Sequence, residues 1–410
     1  MALTALIAAC QTEAESDRLR ATLPLLGQTL IEYQARLAIR AGASAVLVLA
    51  EHFPAALAAA IDRLRRDGLN VEVARTLAVA VGRVHPDDGL LVIADGFVGS
   101  GRFMARVIEA RDQALLTVPD DADHARFERI DARARWGGLL LIDGRRLREV
   151  AAMLGDWDLE STLLRRAVQA GVPRIAADES GPDGPIGLAD HPDDLEALEA
   201  RLFAGSRGEG GERDWPARYL YPAIERVGVP PLLVRGVEAD WLGIGAVAAA
   251  WIAAVALALT EWRWLALPLL LLSGPLAALG RRLAATRLIE PRHAGLFGPL
   301  RVAGGVATLL VLVSHMQAGA GWGVWPLAGL LLIAMVAIRA ERRVLGRLPG
   351  GTVQPWLASL DGLVLLLLPF AVAGYWLAGL VVLAAYAAVS LFAAQREVAA
   401  RLAAAPREQD

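Results

Sequence analysis

The stretch LGIGAVAAAWIAAVALALT, Leu242 to Thr260, holds no charged residue and is built from Ala, Leu, Val, Ile and Gly with one Trp. About 20 such residues in a helix, rising 1.5 Å each, cross the roughly 30 Å hydrocarbon layer of a bilayer. The stretch therefore reads as a membrane span. Further along, Trp264–Gly280 makes a second, and Val302–Ile338 and Gly362–Gln395 contain no Asp, Glu, Lys or Arg. Each of the last two is read as two spans with a turn, near Gln317–Gly323 and near Ala373–Tyr375, which gives six.

Arginine placement orients these spans, because cytoplasmic loops carry the excess of basic residues. Arg281, Arg282, Arg287, Arg292 and Arg301 follow the second span, and Arg339, Arg342, Arg343 and Arg347 follow the fourth. Arg396, Arg401 and Arg407 lie in the tail, and the opposite loops hold only Arg263. Both termini are expected in the cytoplasm. All 41 basic residues are arginine, the coding bias of a GC-rich bacterial genome, so the expected location is a bacterial inner membrane and no mechanism can use a lysine.

The remainder of the chain is different in kind. Residues 236–410 carry 13 Arg against 9 acids, which leaves 28 Arg and 35 acids in residues 1–235, an acidic front half that argues against a nucleic-acid partner. Cys10 is the single cysteine, so no disulfide within the chain is possible. Short apolar runs alternate with amphipathic ones: Leu3–Ala9, Ala45–Leu49, Asn70–Val73, Leu90–Ala94, Gly138–Ile142 and Arg174–Ala176 read as strands. Thr29–Ala41, Ala55–Arg66, Arg102–Arg111, Leu159–Ala170 and Asp193–Phe203 read as helices. That order predicts a layered α/β domain with a mostly parallel sheet. It occupies residues 1–205. Residues 206–235 form a linker, with Gly205–Asp214 rich in Gly and charge, and a juxtamembrane helix over Trp215–Arg235. Residues 236–410 form the membrane domain.

The motifs in the front domain resemble those of the sugar-phosphate nucleotidyltransferases. Leu6–Cys10, Arg18-Leu19-Arg20 and Leu23–Tyr33, with its Gly-Gln-Thr-Leu-Ile-Glu-Tyr, are similar to the family's opening strand, glycine loop and following segment. Leu91–Gly96 resembles the strand whose final Asp, here Asp95, holds magnesium, and Ala189–Leu195 resembles the closing motif. The resemblance implies an α/β, Rossmann-like nucleotidyltransferase fold in which Arg18, Arg20 and Asp95 are the nucleotide-binding candidates. The chain departs from the pattern: Cys10 stands at the loop glycine, Glu13, Glu15 and Asp17 occupy the loop, Arg20 falls at the lysine position and Leu188 at the first closing aspartate. Acids in that loop repel phosphates.

The membrane half resembles the six-helix CDP-alcohol phosphatidyltransferases. Arg218-Tyr219-Leu220-Tyr221-Pro222-Ala223-Ile224-Glu225-Arg226 is similar to that family's juxtamembrane stretch. Ser273–Arg281 and Gly298–Val306 stand where the signature's two halves belong, so Ser273, Leu276, Val302 and Val306 occupy its four aspartate positions, while Arg281 and Gly298 are retained. Without those carboxylates no pair of divalent metals is held, and the expected metal set is none, with Mg2+ only if a residual site works. The order of parts resembles the bifunctional inositol-phosphate cytidylyltransferase and CDP-alcohol transferase proteins.

The resemblance implies a catalytically degenerate homologue that supports polar-lipid or inositol-phosphate-lipid synthesis, as a homodimer or with an active paralogue. The alternatives are a nucleotidyltransferase with an altered site and a lipid-headgroup scaffold using a cavity lined by Ser273, Arg281 and Arg301. Membrane lipids are the expected partners. Arg218, Arg282, Arg301 and Asp361 are the headgroup candidates; Asp361 otherwise reaches headgroups or pairs with Arg347. His315, near the external end of the third span, reads as interfacial and uncharged.

Overall fold

A computed structural model describes residues 2–404 apart from 14–15, 111, 154–157, 180–183, 206–213, 260–262 and 347–353. The chain divides into two compact units, Met1–Gly208 with Thr286–Ile289, and Glu209–Ala285 with Glu290–Asp410. Most of the expected Gly-rich linker and Arg347 lie outside the described residues.

The first unit is a mixed α/β domain. Its strands are β1 (Leu3–Ala8), β2 (Pro24–Leu25), β3 (Gln28–Thr29), β4 (Ala45–Leu49), β5 (Val71–Ala74), β6 (Gly89–Ile93), β7 (Phe97–Gly99), β8 (Ala114–Pro119), β9 (Ala134–Asp143), β10 (Arg174–Ala176) and β11 (Ile186–Leu188). Its helices are α1 (Leu30–Arg40), α2 (Ala55–Arg66), α3 (Leu77–Arg83), α4 (Gly101–Glu109), α5 (Gly144–Ala151), α6 (Leu159–Gln169) and α7 (Pro192–Gly205). Seven strands form one sheet in the order β10-β8-β9-β6-β1-β4-β5. β1 pairs in parallel with β4 and β6, whereas β9 runs antiparallel to both β6 and β8. Helices cover both faces of the central strands, so Ala5–Ile7 and Leu90–Ile93 are buried with no polar side of their own.

Local sequence chemistry sets the first helix. Leu26 and Gly27, both at positive φ, make the two-residue turn between β2 and β3, a geometry that favours glycine at its second position. Thr29 then caps α1 in a capping box with Glu32, and the buried Glu32 carboxylate also receives Arg63 Nε and Nη2 at 2.8 Å. The Gly-Gln-Thr-Leu-Ile-Glu segment is thus a turn, a cap and an ion-pair anchor.

In the second unit a π-helical turn, Pro216–Leu220, leads into α8 (Tyr221–Val234). It is followed by α9 (Ala239–Ala258), α10 (Ala266–Thr286), α11 (Ala294–Ala320), α12 (Val324–Leu345), α13 (Leu360–Val372) and α14 (Trp376–Ala404). Among the described residues five of these, α9 to α12 and α14, are long and apolar enough to cross a membrane. The sixth expected span falls on α13, an apolar helix shorter than the other five. The charge-free run Gly362–Gln395 divides unevenly at Gly374, whose φ of +79° ends the helical path, leaving α13 with 13 residues, about 20 Å. The turn expected near Gln317–Gly323 is present, with Gly321 at φ +75°. Small residues bring α9 and α11 together: a Cβ on Gly304 would stand 2.9 Å from the Ala250 Cβ.

Candidate functional site

In the first unit, strand β11 pairs with β7, and Ala189 N–H donates to the Gly96 carbonyl at 2.8 Å. A Cβ on Gly96 would meet the Ala189 carbonyl oxygen at 2.7 Å, so glycine permits this approach. The Asp95 and Ala189–Leu195 motifs, far apart in sequence, come together here. The Asp95 carboxylate is buried, and its Oδ2 accepts the backbone N–H groups of Gln11 at 2.8 Å and Cys10 at 3.1 Å. Its own N–H donates to Oε1 of buried Glu160 at 2.9 Å. Burial pushes the Asp95 carboxyl up to about 6, against the lowering effect of the amide donors and Arg20, and burial raises Glu160 as well.

Arg20 is directed into the same region, paired with Asp190 at 3.0 Å and donating to Gln11 Oε1 at 2.5 Å. Arg18 turns away to the carbonyl of Thr22 at 2.9 Å. Of the three nucleotide-binding candidates the fold thus gathers Arg20 and Asp95 and gives Arg18 a loop-closing hydrogen bond. Asp95 Oδ2 is committed to two amides, its Oδ1 is buried without a hydrogen-bond partner, and Asp190 of the closing motif is paired with a guanidinium.

In the second unit a cavity of about 310 Å³ lies among α11, α12, α13 and α14. Its lining follows one gradient on three helices. Arg301 is succeeded along α11 by Val302, Val306 and Leu312; Arg342 and Arg339 are preceded along α12 by Met335 and Leu331; Asp361 is succeeded along α13 by Leu363 and Leu367. Charge sits at one end and the remainder is hydrocarbon. Asp214, just before the π-helical turn, also lines the cavity.

The charged end is tightly organised. Arg301 Nη1 donates to Asp361 Oδ1 at 2.6 Å and stands 3.4 Å from the Ser273 hydroxyl, which itself donates to the Leu270 carbonyl at 2.7 Å. Asp361 lies in the first turn of α13, where Ser359 caps the helix by accepting the Gly362 N–H at 3.1 Å. The Tyr221 hydroxyl bonds the same carboxylate, and burial, reinforced by Asp361, raises the Tyr221 phenol above its ordinary range. Gly274 makes room for both groups. A Cβ there would lie 2.2 Å from the Tyr221 hydroxyl and 3.0 Å from Asp361 Oδ1. Arg342 Nη2 donates to the Leu357 carbonyl at 3.0 Å, fixing its guanidinium beside the start of α13.

The four positions aligned with the signature's aspartates do not all meet in one place. Val302 and Val306 line the cavity and Ser273 contacts Arg301, whereas Leu276 packs 3.8 Å from the Gly245 backbone position on α9. Gly298 and Arg281 are exposed, and Arg282 is buried; none of the three lines the cavity. Arg218 is exposed, with its guanidinium over the Tyr219 ring at 5.7 Å, and His315 is exposed. The cavity is lined by Arg301, Arg339 and Arg342 and not by Arg281, and Asp361 pairs with Arg301, while Arg347, its other expected partner, lies outside the described residues. Of the two carboxylates in the lining, Asp361 is bound to a cation, and among the described residues no group of three or more His, Cys, Asp or Glu side chains is placed to hold a metal ion.

Sequence reasoning missed Tyr221, Gly274, Asp214 and the inward role of Arg339 and Arg342. The last two, assigned to a loop, are still in α12 at i and i+3, a spacing that puts them on one helical face. No protein-family model and no curated protein matches the chain.

Proposed function

We propose that this chain is a membrane protein whose helical unit binds the anionic headgroup and part of the chain of a lipid, on a scaffold similar to the CDP-alcohol phosphatidyltransferases but without metal chemistry. The observation that carries the reading is the cavity gradient: Arg301, Arg339 and Arg342 at one end, apolar side chains along the rest. Guanidinium groups match phosphate oxygens in charge and geometry, and a hydrocarbon wall adds only what an amphiphile can use. The Arg301–Asp361 pair is itself neutral, so the positive character of this end comes from Arg339 and Arg342.

The front domain, read as nucleotidyltransferase-like, supports the same conclusion. Its phosphate-facing amides are taken by Asp95 and its cation by Asp190. The chain then serves polar-lipid synthesis as a non-catalytic homologue in a bacterial inner membrane, with cytoplasmic termini and as a dimer or beside an active paralogue. The test is native mass spectrometry of the full-length protein released from mild detergent, together with CMP release from a CDP-alcohol in Mg2+ or Mn2+. Retained anionic lipid without CMP release is the expected result. Turnover, or a protein free of lipid at every detergent concentration, overturns the reading.

A further inference from the structure

The cavity in the helical unit is open along one side. Its lining on α12 turns from the interior to the outer surface: Leu331 is buried, Leu332 is half-buried, and Val336 is 70 % exposed. Ile333, the neighbour of Val336 at i and i+3, is 69 % exposed and takes no part in the lining. Val336 therefore marks the edge where the outer face of α12 meets the cavity. The opposite edge is on α11. These two helices touch near the turn that joins them, where Val313, Val324 and Ala328 share one buried cluster. Nearer the charged end Val306 of α11 and Val336 of α12 both line the cavity, so the pair is joined at one end and parted at the other. Arg339, one turn from Val336, also lines the cavity and is exposed. The slot thus runs from a guanidinium to hydrocarbon, on two helices that are long and apolar enough to cross a membrane.

We infer that the cavity is loaded from the side, through the slot between α11 and α12 beside Val336, by a two-chain anionic phospholipid resident in the bilayer, one chain entering and the other staying outside. The inference rests on the headgroup reading above and adds to it the route and the class of lipid. A slot that reaches Arg339 admits the phosphate along the polar end, so its charge is never carried through hydrocarbon. A volume of about 310 Å³ is at the small end of ligand cavities, roughly 300–1,000 Å³, and accommodates one chain segment better than two. The open side removes the need to enclose both. The chain left outside meets Val336 and Ile333, an apolar surface that bilayer lipid covers in any case.

The experiment places full-length protein in phosphatidylcholine vesicles that contain phosphatidylglycerol with a diazirine on one acyl chain, and maps the photolabelled residues by mass spectrometry. Wild type is expected to be labelled inside the cavity, at Met335 or Leu367, and at Val336 on its rim. Val336→Trp plugs the slot and should cut the cavity labelling at least fivefold. Val336→Phe, a smaller plug that is read alone if the tryptophan variant does not fold, should cut it at least threefold. Ile333→Trp, equally exposed but off the lining, should leave it within twofold of wild type. Labelling within twofold of wild type in the folded Val336 variants overturns entry through the slot and leaves the headgroup reading standing. Cavity labelling without any at Val336, the pattern produced if a second copy of the chain covers α12, overturns it as well. Lysophosphatidylglycerol that displaces the probe more than tenfold better than unlabelled phosphatidylglycerol overturns the two-chain class. Labelling abolished by an excess of inorganic phosphate assigns the site to a soluble anion and overturns the lipid class. Equal cavity labelling by a phosphatidylcholine probe overturns the headgroup reading and this inference with it.

Discussion

Arg301 and Asp361, separated by 60 residues of sequence, meet at 2.6 Å inside the helical unit, and neither exposes more than about an eighth of its side chain. Isolated, either charge is costly in a membrane interior; together they satisfy one another. Arg301→Ala strands the carboxylate and is expected to destabilise the unit by about 3–5 kcal/mol. The double variant Arg301→Leu/Asp361→Leu is expected to recover at least half of that loss while abolishing lipid retention. Thermal unfolding in detergent reads the first, mass spectrometry the second. Equal stability of Arg301→Ala and wild type would mean the pair contributes nothing.

Gly274 makes a sharper test because its role is purely one of space. Gly274→Ala pushes a methyl group to within 2.2 Å of the Tyr221 hydroxyl, which forces the α8 entry away from Asp361. Overpacking of this kind costs about 1–3 kcal/mol. Removing the hydroxyl relieves the closest clash, so Gly274→Ala/Tyr221→Phe should melt higher than Gly274→Ala alone. A double variant no more stable than the single one would count against the contact.

The pH behaviour of Asp95 follows from its burial. Its folded value of about 6 lies above the ordinary aspartate value of 3.8, so between the two the folded state holds a proton that the unfolded state releases. Stability is full below about pH 4 and is lost as pH rises through 6. Asp95→Asn should weaken that dependence, leaving the part of the same sign that buried Glu160 contributes, and stabilise the α/β unit at pH 7.5 by about 1–3 kcal/mol. Pulse proteolysis of the full-length protein across pH 4–8 is the measurement, and an unchanged slope would contradict it.

Glu32 titrates with the opposite sign. Arg63 and the Thr29 hydroxyl and N–H outweigh its desolvation and hold the carboxyl below its ordinary value, so its contribution is present at neutral pH and disappears as pH falls below about 4.5. Glu32→Gln should cost about 1–3 kcal/mol at pH 7 and progressively less as pH falls below about 4.5, read by the same proteolysis. A penalty that is constant over this range would assign Glu32 a packing role only.

The alternation of the front half was legible because central strands and their crossover helices carry long apolar signals, as in Leu3–Ala8 and Ala45–Leu49. What escaped were elements set by context. β7 and β11 are three-residue strands that exist through their mutual pairing, and β9 reverses the sheet direction, which no local periodicity records. In the helical half, absence of charge marked the apolar runs, and the turn expected near Ala373–Tyr375 is present at Gly374, but the 13-residue length of α13 depends on where Ser359 caps it. Arg301 and Asp361 were recognisable as residues of consequence, yet their partnership is tertiary. Tyr221 was legible only as part of the juxtamembrane stretch and Asp214 only as the end of the linker, because their positions depend on the folded path between the π-helical turn and α13.

The carboxylate of Asp95, seated on the amides of Cys10 and Gln11, means that the loop after β1 already contains its own ligand. A tethered group of this kind competes at the millimolar or higher effective concentrations that short linkages confer. A phosphate approaching those amides would therefore face an occupant that cannot diffuse away, and would gain the loop only by displacing the Asp95 carboxylate.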